Sequence, residues 1–320
     1  MSVLLLTEAD VQRLLTMPIA LTAVESALQH LARSQADDAP RVRVKAPGII
    51  LHSMSAAAEY LGYVGWKQYT TTAAGARFLV GLYRAADGQL RALIEADRLG
   101  QIRTGAVTGI AVKQLSAPTL DEVGLFGCGW QASSQLEAIA NVRALRRIVV
   151  YSRDDQRRRQ FASEMATRLA VAVEPADHPR QAVAGLSLVV TATTSRTPVF
   201  DGRWLADQAL VCAIGSNWLN KSEIDVETVA RAQAVVCDRI VGCQREAGDL
   251  AAAAAAGRFD WHSALELGEL LIGAKSLPPS ADRGTIVFKS VGMAIEDVAV
   301  GAKLIELAEA SGVGRHIELF

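Results

Sequence analysis

The chain has 320 residues, half of them apolar and 21% charged, with a formal net charge of −1. That length exceeds the ~100–200 residues of one domain, so two cores of ordinary size are expected. Acidic and basic residues are interspersed and nearly balanced, so no field exists to gather a polyanion or an anionic membrane, and neither nucleic acid nor a membrane is an expected partner.

The apolar start at Val3–Leu6 runs straight into Glu8 and Asp10 and is too short for a signal peptide. No stretch reaches the ~18 apolar residues of a membrane span, which predicts a cytoplasmic protein. From Thr7, an N-cap residue by type, to about Ala36, the residues Val11, Leu14, Leu15, Ala20, Val24, Leu28 and Leu31 recur at helical spacing. The chain is therefore expected to open with helices. Between residues 41 and 95 the pattern changes to short strands, Gly48–Leu51, Gly62–Trp66 and Phe78–Tyr83, with an Asp87-Gly88 turn before Leu90–Ile94. This predicts an antiparallel sheet carrying the first helices.

Helical character returns from Asp97 to Leu115, and Ser116-Ala117-Pro118-Thr119 is the clearest break in the chain. A domain boundary is placed there, giving 1–118 and 119–295. Beyond it the apolar strands Val123–Phe126, Ile148–Tyr151, Leu188–Ala192, Val211–Ile214 and Ala234–Cys237 alternate with helical stretches, which predicts a parallel sheet covered on both faces. The run Ala251–Ala256 predicts a short helix. Val291 to Ala310 predicts a long amphipathic helix, and segment 296–320 is expected to complete the first domain.

The segment Gly127-Cys128-Gly129-Trp130-Gln131-Ala132 follows the first of these parallel strands and opens a helix. This G-x-G-x-x-A pattern has a physical reading: Gly127 turns sharply, Gly129 removes a Cβ that would block a pyrophosphate, and Ala132 lets the helix pack on the strand. A Rossmann dinucleotide-binding domain is predicted, with Trp130 and Gln131 at the helix start. The next strand ends at Tyr151-Ser152-Arg153, where a site preferring NAD(H) offers an acid to the ribose; Ser152 and Arg153 suit a 2′-phosphate, so NADP(H) is preferred over NAD(H). The basic run that follows, Gln156–Gln160, reads equally as a solvated helix face. Thr191, Ala192, Thr193, Gly215 and Ser216 close two later strands and are candidate cofactor-lining residues, with Asn217 beside them.

Cys128, Cys212, Cys237 and Cys243 show no C-x-x-C spacing and read as reduced core thiols. His30, His52, His178, His262 and His316 are scattered, so no local metal site is predicted.

These residues resemble the ornithine cyclodeaminase and mu-crystallin family along nearly the whole chain. The resemblance is carried by Pro40-Arg41 ahead of His52-Ser53-Met54, Gly65-Trp66-Lys67, Arg103-Thr104, the Gly127–Ala132 loop, Ala213-Ile214-Gly215 and Phe288 to Asp297. It implies a fold of the α/β class, a Rossmann domain beside an α/β domain that binds substrate and dimerises, and a homodimer. It also implies NAD(P) chemistry at the α-carbon of a small amino or imino acid. The resemblance places catalytic and carboxylate-binding roles on Arg41, Lys67 and Arg103, with Asn217 as a further catalytic candidate, and adds Thr104, Val291 and Gly292 to the cofactor site. Arg43, His52 and Met54 are candidates for the substrate pocket. A desolvated Lys67 beside another cation has a lowered pKa suited to proton transfer.

The chain departs from the ornithine cyclodeaminases in having His52 where they carry an acid for the distal ammonium, and Asn217 where they carry an Asp. Three functions compete: an imino-acid reductase or amino-acid dehydrogenase, a cyclodeaminase of ornithine or another diamino acid releasing ammonia, and a non-catalytic dinucleotide-binding protein. The first is favoured, because it needs no second acid.

Overall fold

The computed structural model describes residues 2–319 and divides into two compact units, Met1–Ala106 with Met293–Phe320, and Val107–Gly292. The division falls inside the helix Asp97–Leu115, twelve residues before the break predicted at 118, because this unbroken helix carries the chain from one unit to the other. Among the described residues no helix is long and apolar enough to cross a membrane.

In chain order the strands are β1 (Ser2–Leu6), β2 (Asp37–Ala46), β3 (Ile49–Ala58), β4 (Tyr63–Thr72), β5 (Gly75–Arg84), β6 (Leu90–Glu95), β7 (Glu122–Phe126), β8 (Arg147–Tyr151), β9 (Ala172–Pro175), β10 (Leu188–Thr191), β11 (Leu210–Ala213), β12 (Ala232–Cys237), β13 (Leu265–Glu266), β14 (Thr285–Lys289) and β15 (Arg315–Glu318). The first unit holds the sheet β15-β1-β6-β5-β4-β3-β2. Within it β2 to β6 pair antiparallel in sequence, β1 runs parallel to β6, and β15 closes the edge against β1.

The expectation that the chain opens with helices is corrected by β1. Its apolar run is short enough to pass for a lead-in to the helix, and its partners lie far away in sequence. The helical pattern from Thr7 resolves into two helices, Glu8–Leu14 and Met17–Ala32. Thr7 caps the first, accepting from the Asp10 amide while Asp10 accepts from the Thr7 amide. Pro18 then opens the second in its first turn, a position that tolerates a missing N–H.

Strands β2 to β5 are ten residues each; β3, β4 and β5 are longer than predicted, and β2 precedes the strands named from the sequence. On one face, Arg43 stands opposite His52, His52 opposite Tyr69, and Tyr69 opposite Phe78. One register step along, Met54 faces Lys67 and Lys67 faces Val80. The other face exposes Val42, Val44, Leu51, Val64, Leu79 and Tyr83. The buried face is covered by the helix Ala294–Ser311, which packs on β3, β4, β5 and the helix Met17–Ala32.

That last helix corrects the amphipathic reading: every residue from Ala294 to Ala302 is buried, including Glu296 and Asp297. It also starts three residues later than predicted, because Gly292 takes a φ of +82° and breaks the helical path.

The second unit is a fully parallel sheet in the order β13-β12-β14-β11-β10-β7-β8-β9. Every residue of β10, β11 and β14 is buried, the pattern of strands covered on both faces. The order reverses direction beside β7, so the carboxyl ends of β7 and β10 flank the crevice where such sheets bind ligands.

Candidate functional site

In the first unit, β4 carries Lys67, the helix Asp97–Leu115 carries Arg103, and the first turn of the last helix carries Glu296 and Asp297. All four are buried, at 2%, 7%, 0% and 0% exposure. Lys67 Nζ donates to Asp297 Oδ1 at 2.9 Å, and Arg103 Nε donates to the same oxygen at 3.2 Å. Arg103 Nη1 donates to Glu296 Oε2 at 2.7 Å. Two cations therefore face two carboxylates, and the helix N-terminus adds a favourable dipole for the carboxylates. Gly100 makes room for the cluster, since a Cβ there would stand 3.0 Å from Lys67 Nζ.

Burial lowers the Lys67 pKa most, Arg103 lowers it further, and Asp297 opposes both, leaving it at about 8. The predicted lowering is thus present, with Asp297 as a restraint that was not foreseen. Burial works against the Arg103 charge, but Asp297 and Glu296 overcome it and hold its pKa above the ordinary value.

Beside Lys67 runs the ladder of flat side chains. His52 stacks on Tyr69 with centroids 4.1 Å apart, Tyr69 stacks on Phe78 at 4.8 Å, and the Lys67 ammonium lies 5.3 Å from the Phe78 centroid. Arg43 Nε donates to His52 Nδ1 at 3.2 Å, which requires that nitrogen to be unprotonated; Nε2 then carries the proton and faces Thr71 Oγ1 at 3.1 Å. Burial, then Arg43 and Arg41, hold the imidazole pKa down at about 4. His52 is neutral at pH 7. Arg41 is half-buried on β2, and the Thr104 hydroxyl donates to the Gly100 carbonyl inside its own helix.

In the second unit Gly127 has a φ of +107°, and a Cβ there would stand 2.4 Å from the Ala192 carbonyl. A Cβ on Gly129 would meet nothing within 4 Å, so the space in front of the helix Trp130–Val142 is open. Ala132 is fully buried against the sheet, and Trp130 is 47% exposed. A cavity of about 500 Å³ extends from this turn, with Ser152, Arg153, Arg157, Ala192 and Thr193 on its walls. These features fit a dinucleotide: an open turn of amide groups for the pyrophosphate, and hydroxyl and guanidinium groups beyond it.

The basic run Gln156–Gln160 is not uniformly a solvated face. Arg157 lines the cavity and donates to the Cys128 carbonyl at 3.1 Å, whereas Arg158 is buried and donates to the Ser152 carbonyl at 2.7 Å. Thr191 is fully buried and its hydroxyl donates to Glu223, so it stands behind the cavity wall that Ala192 and Thr193 form. Gly215, Ser216 and Asn217 follow β11 in a loop, and the Ser216 carbonyl accepts from the buried Lys289 ammonium at 2.8 Å. Val291 and Gly292 both donate their amides to Asp238 Oδ2 at 2.7 Å.

Six charged residues with structural prominence were not singled out by the sequence reading: Glu296, Asp297, Asp238, Glu223, Asp249 and Lys289. Three of them lay inside the Phe288–Asp297 segment that carries the family resemblance, which was the available signal. Among the described residues no three metal-ligating side chains gather into a metal site.

A parallel sheet with a glycine turn and an open crevice, joined to a second α/β unit with a buried Lys-Arg-carboxylate cluster, defines a two-unit protein of the dinucleotide-binding class. Residues 1–312 match the ornithine cyclodeaminase/mu-crystallin family, and the chain belongs to that family. It is 31% identical over 331 aligned positions to an alanine dehydrogenase of Archaeoglobus fulgidus, covering 100% of this chain and 99% of that one. It is 31% identical over 275 positions to a Delta(1)-pyrroline-2-carboxylate reductase of Bacillus cereus, covering 83% of each. The structure of a Thermococcus litoralis Delta(1)-pyrroline-2-carboxylate reductase in complex with NADH and L-proline matches with a TM-score of 0.93 and 27% identity, covering 98% of this chain and 100% of that one.

Proposed function

We propose that the chain is an NAD(P)-dependent oxidoreductase that acts at the Cα–N bond of a small amino or imino acid. The observation that carries this reading is the buried Lys67, paired to Asp297 and holding a pKa of about 8, within a family whose similar members are an alanine dehydrogenase and pyrroline-carboxylate reductases. When bound, the nicotinamide supplies hydride exchange at the substrate α-carbon. Lys67 moves the accompanying proton at the substrate nitrogen, donating when an imine is reduced and accepting when an amine is oxidised. Arg103 spends Nε and Nη1 on the carboxylates, so its Nη2, with Arg41, is the donor for the substrate carboxylate.

His52 supports a substrate side chain without an amine. A neutral imidazole that accepts from Arg43 offers no anion to a distal ammonium, and Asn217 cannot take a proton during ring closure. The exposed apolar face of β2 to β5 supports pairing with a second copy of the chain. For the cofactor, Ser152, Arg153 and Arg157 on the cavity wall support NADP(H) over NAD(H). The double change Ser152→Asp with Arg153→Ala is expected to move the kcat/KM ratio toward NADH by about 10–100-fold, the effect of losing a charge-assisted bond and adding a repelling acid. An unmoved ratio places the 2′-phosphate reader elsewhere.

The reading is tested by following nicotinamide absorbance while the purified chain meets NADPH or NADH and a panel of small cyclic and acyclic imino acids. Net cofactor consumption is expected. Ammonia released from ornithine with no net cofactor change would instead establish a cyclodeaminase.

A further inference from the structure

The second unit contains a buried charged network behind the part of the cavity wall that Thr193 forms. Glu223 is fully buried and accepts four hydrogen bonds, all from the ends of two strands. Its Oε1 takes the Thr193 amide at 2.6 Å and the Thr193 hydroxyl at 2.7 Å. Its Oε2 takes the Gly215 amide at 2.6 Å and the Thr191 hydroxyl at 3.1 Å. Behind it, Asp249 Oδ1 accepts the amides of Glu223 and Ile224, and Asp249 Oδ2 lies 2.8 Å from Lys289 Nζ, which reaches forward to the Ser216 carbonyl.

The arrangement suits a carboxyl group. Each oxygen of Glu223 faces a backbone amide that can only donate, Thr193 on one side and Gly215 on the other, so a glutamine NH2 would turn a hydrogen against one of them, whereas the two threonine hydroxyls can donate or accept. Burial pushes the Glu223 pKa up, and Lys289 with the Thr193 bonds pull it back. The two loops it joins are already at contact, because a Cβ on Gly215 would stand 2.3 Å from the Thr193 carbonyl. A side chain that spends a buried charge on fixing two loops at the carboxyl edge of a parallel sheet is preorganising whatever binds at that edge.

We propose that Glu223 is a positioning residue for the nicotinamide half of the cofactor, holding the 191–193 and 215–216 loops in their bound shape through its four hydrogen bonds. This rests on the dinucleotide reading above. None of the four bonds is made to Ser152 or Arg153, which share the cavity wall with Thr193 and are assigned to the adenosine half.

The test is a binding titration of wild type and Glu223→Gln with NADPH, NADH and the two matching fragments that lack nicotinamide, 2′-phospho-ADP-ribose and ADP-ribose. The variant is expected to weaken NAD(P)H by about tenfold or more, the effect of losing bonds to a charged acceptor and freeing a loop, while fragment affinity changes by less than about twofold. Equal weakening of whole cofactor and fragment, or no weakening of either, overturns the proposal. Failure of both whole cofactor and fragment to bind wild type would overturn the dinucleotide reading itself. Should Glu223→Gln not fold, Thr191→Val removes one donor at nearly constant volume from a side chain buried behind the cavity wall, and is held to the same selective weakening.

Discussion

Lys67→Met is expected to lower kcat/KM by about 10³-fold, within the range that a positioned proton donor or acceptor contributes. The fold is expected to persist, because methionine has a similar length and Asp297 keeps its bond to Arg103 Nε. The pH dependence gives the sharper reading. With a pKa of about 8, Lys67 is mostly protonated at neutral pH. Imine reduction, which needs the protonated form, is then flat below about pH 8 and falls tenfold per unit above it. Amine oxidation needs the neutral form, so its rate rises tenfold per unit up to that pH and then levels off. Lys67→Met removes this limb in both directions. Activity within a few-fold of wild type, or an unchanged limb, assigns the proton transfer to another group.

Asp297→Ala is expected to destabilise the first unit by about 3–5 kcal/mol, since it removes the carboxylate that pairs with the buried Lys67 and one of the two that pair with the buried Arg103. Because the two units need not unfold together, the loss is best read locally, as reduced hydrogen-exchange protection of β4 and the helix Ala294–Ser311. The same change removes a charge that raises the Lys67 pKa, so the limb near pH 8 moves to lower pH. Protection within about 1 kcal/mol of wild type would show that the cluster does not depend on Asp297 for its charge balance.

The parallel sheet was legible because its strands are buried on both faces and so read as continuous apolar runs, and the Gly127–Ala132 turn was legible because glycine has a specific steric task there. The strands of the first sheet were harder. Arg43, His52 and Lys67 occupy its buried face, and polar residues at those positions interrupt the alternation that marks a strand. The cluster itself was half legible: burial and a lowered pKa were anticipated for Lys67, but its partner Asp297 is 230 residues away, and nothing local marks that pairing. Glu223 and Asp249 were invisible for a related reason, since a charge carries no sequence signature of being buried. Lys289 ends β14, a strand whose five residues are all buried and which the sequence reading did not name.

The first unit is assembled from both ends of the chain, with the second unit inserted between them. This fixes an order of events during synthesis. When Gly292 leaves the ribosome, all eight strands of the second unit have been made and can close their sheet, whereas β1 still has a bare edge where β15 belongs. The inner face of β3 to β5, with Lys67 on it, stays wet until the final segment delivers the helix that covers it and the carboxylate that pairs with the ammonium. The unit begun first is thus the last to be finished.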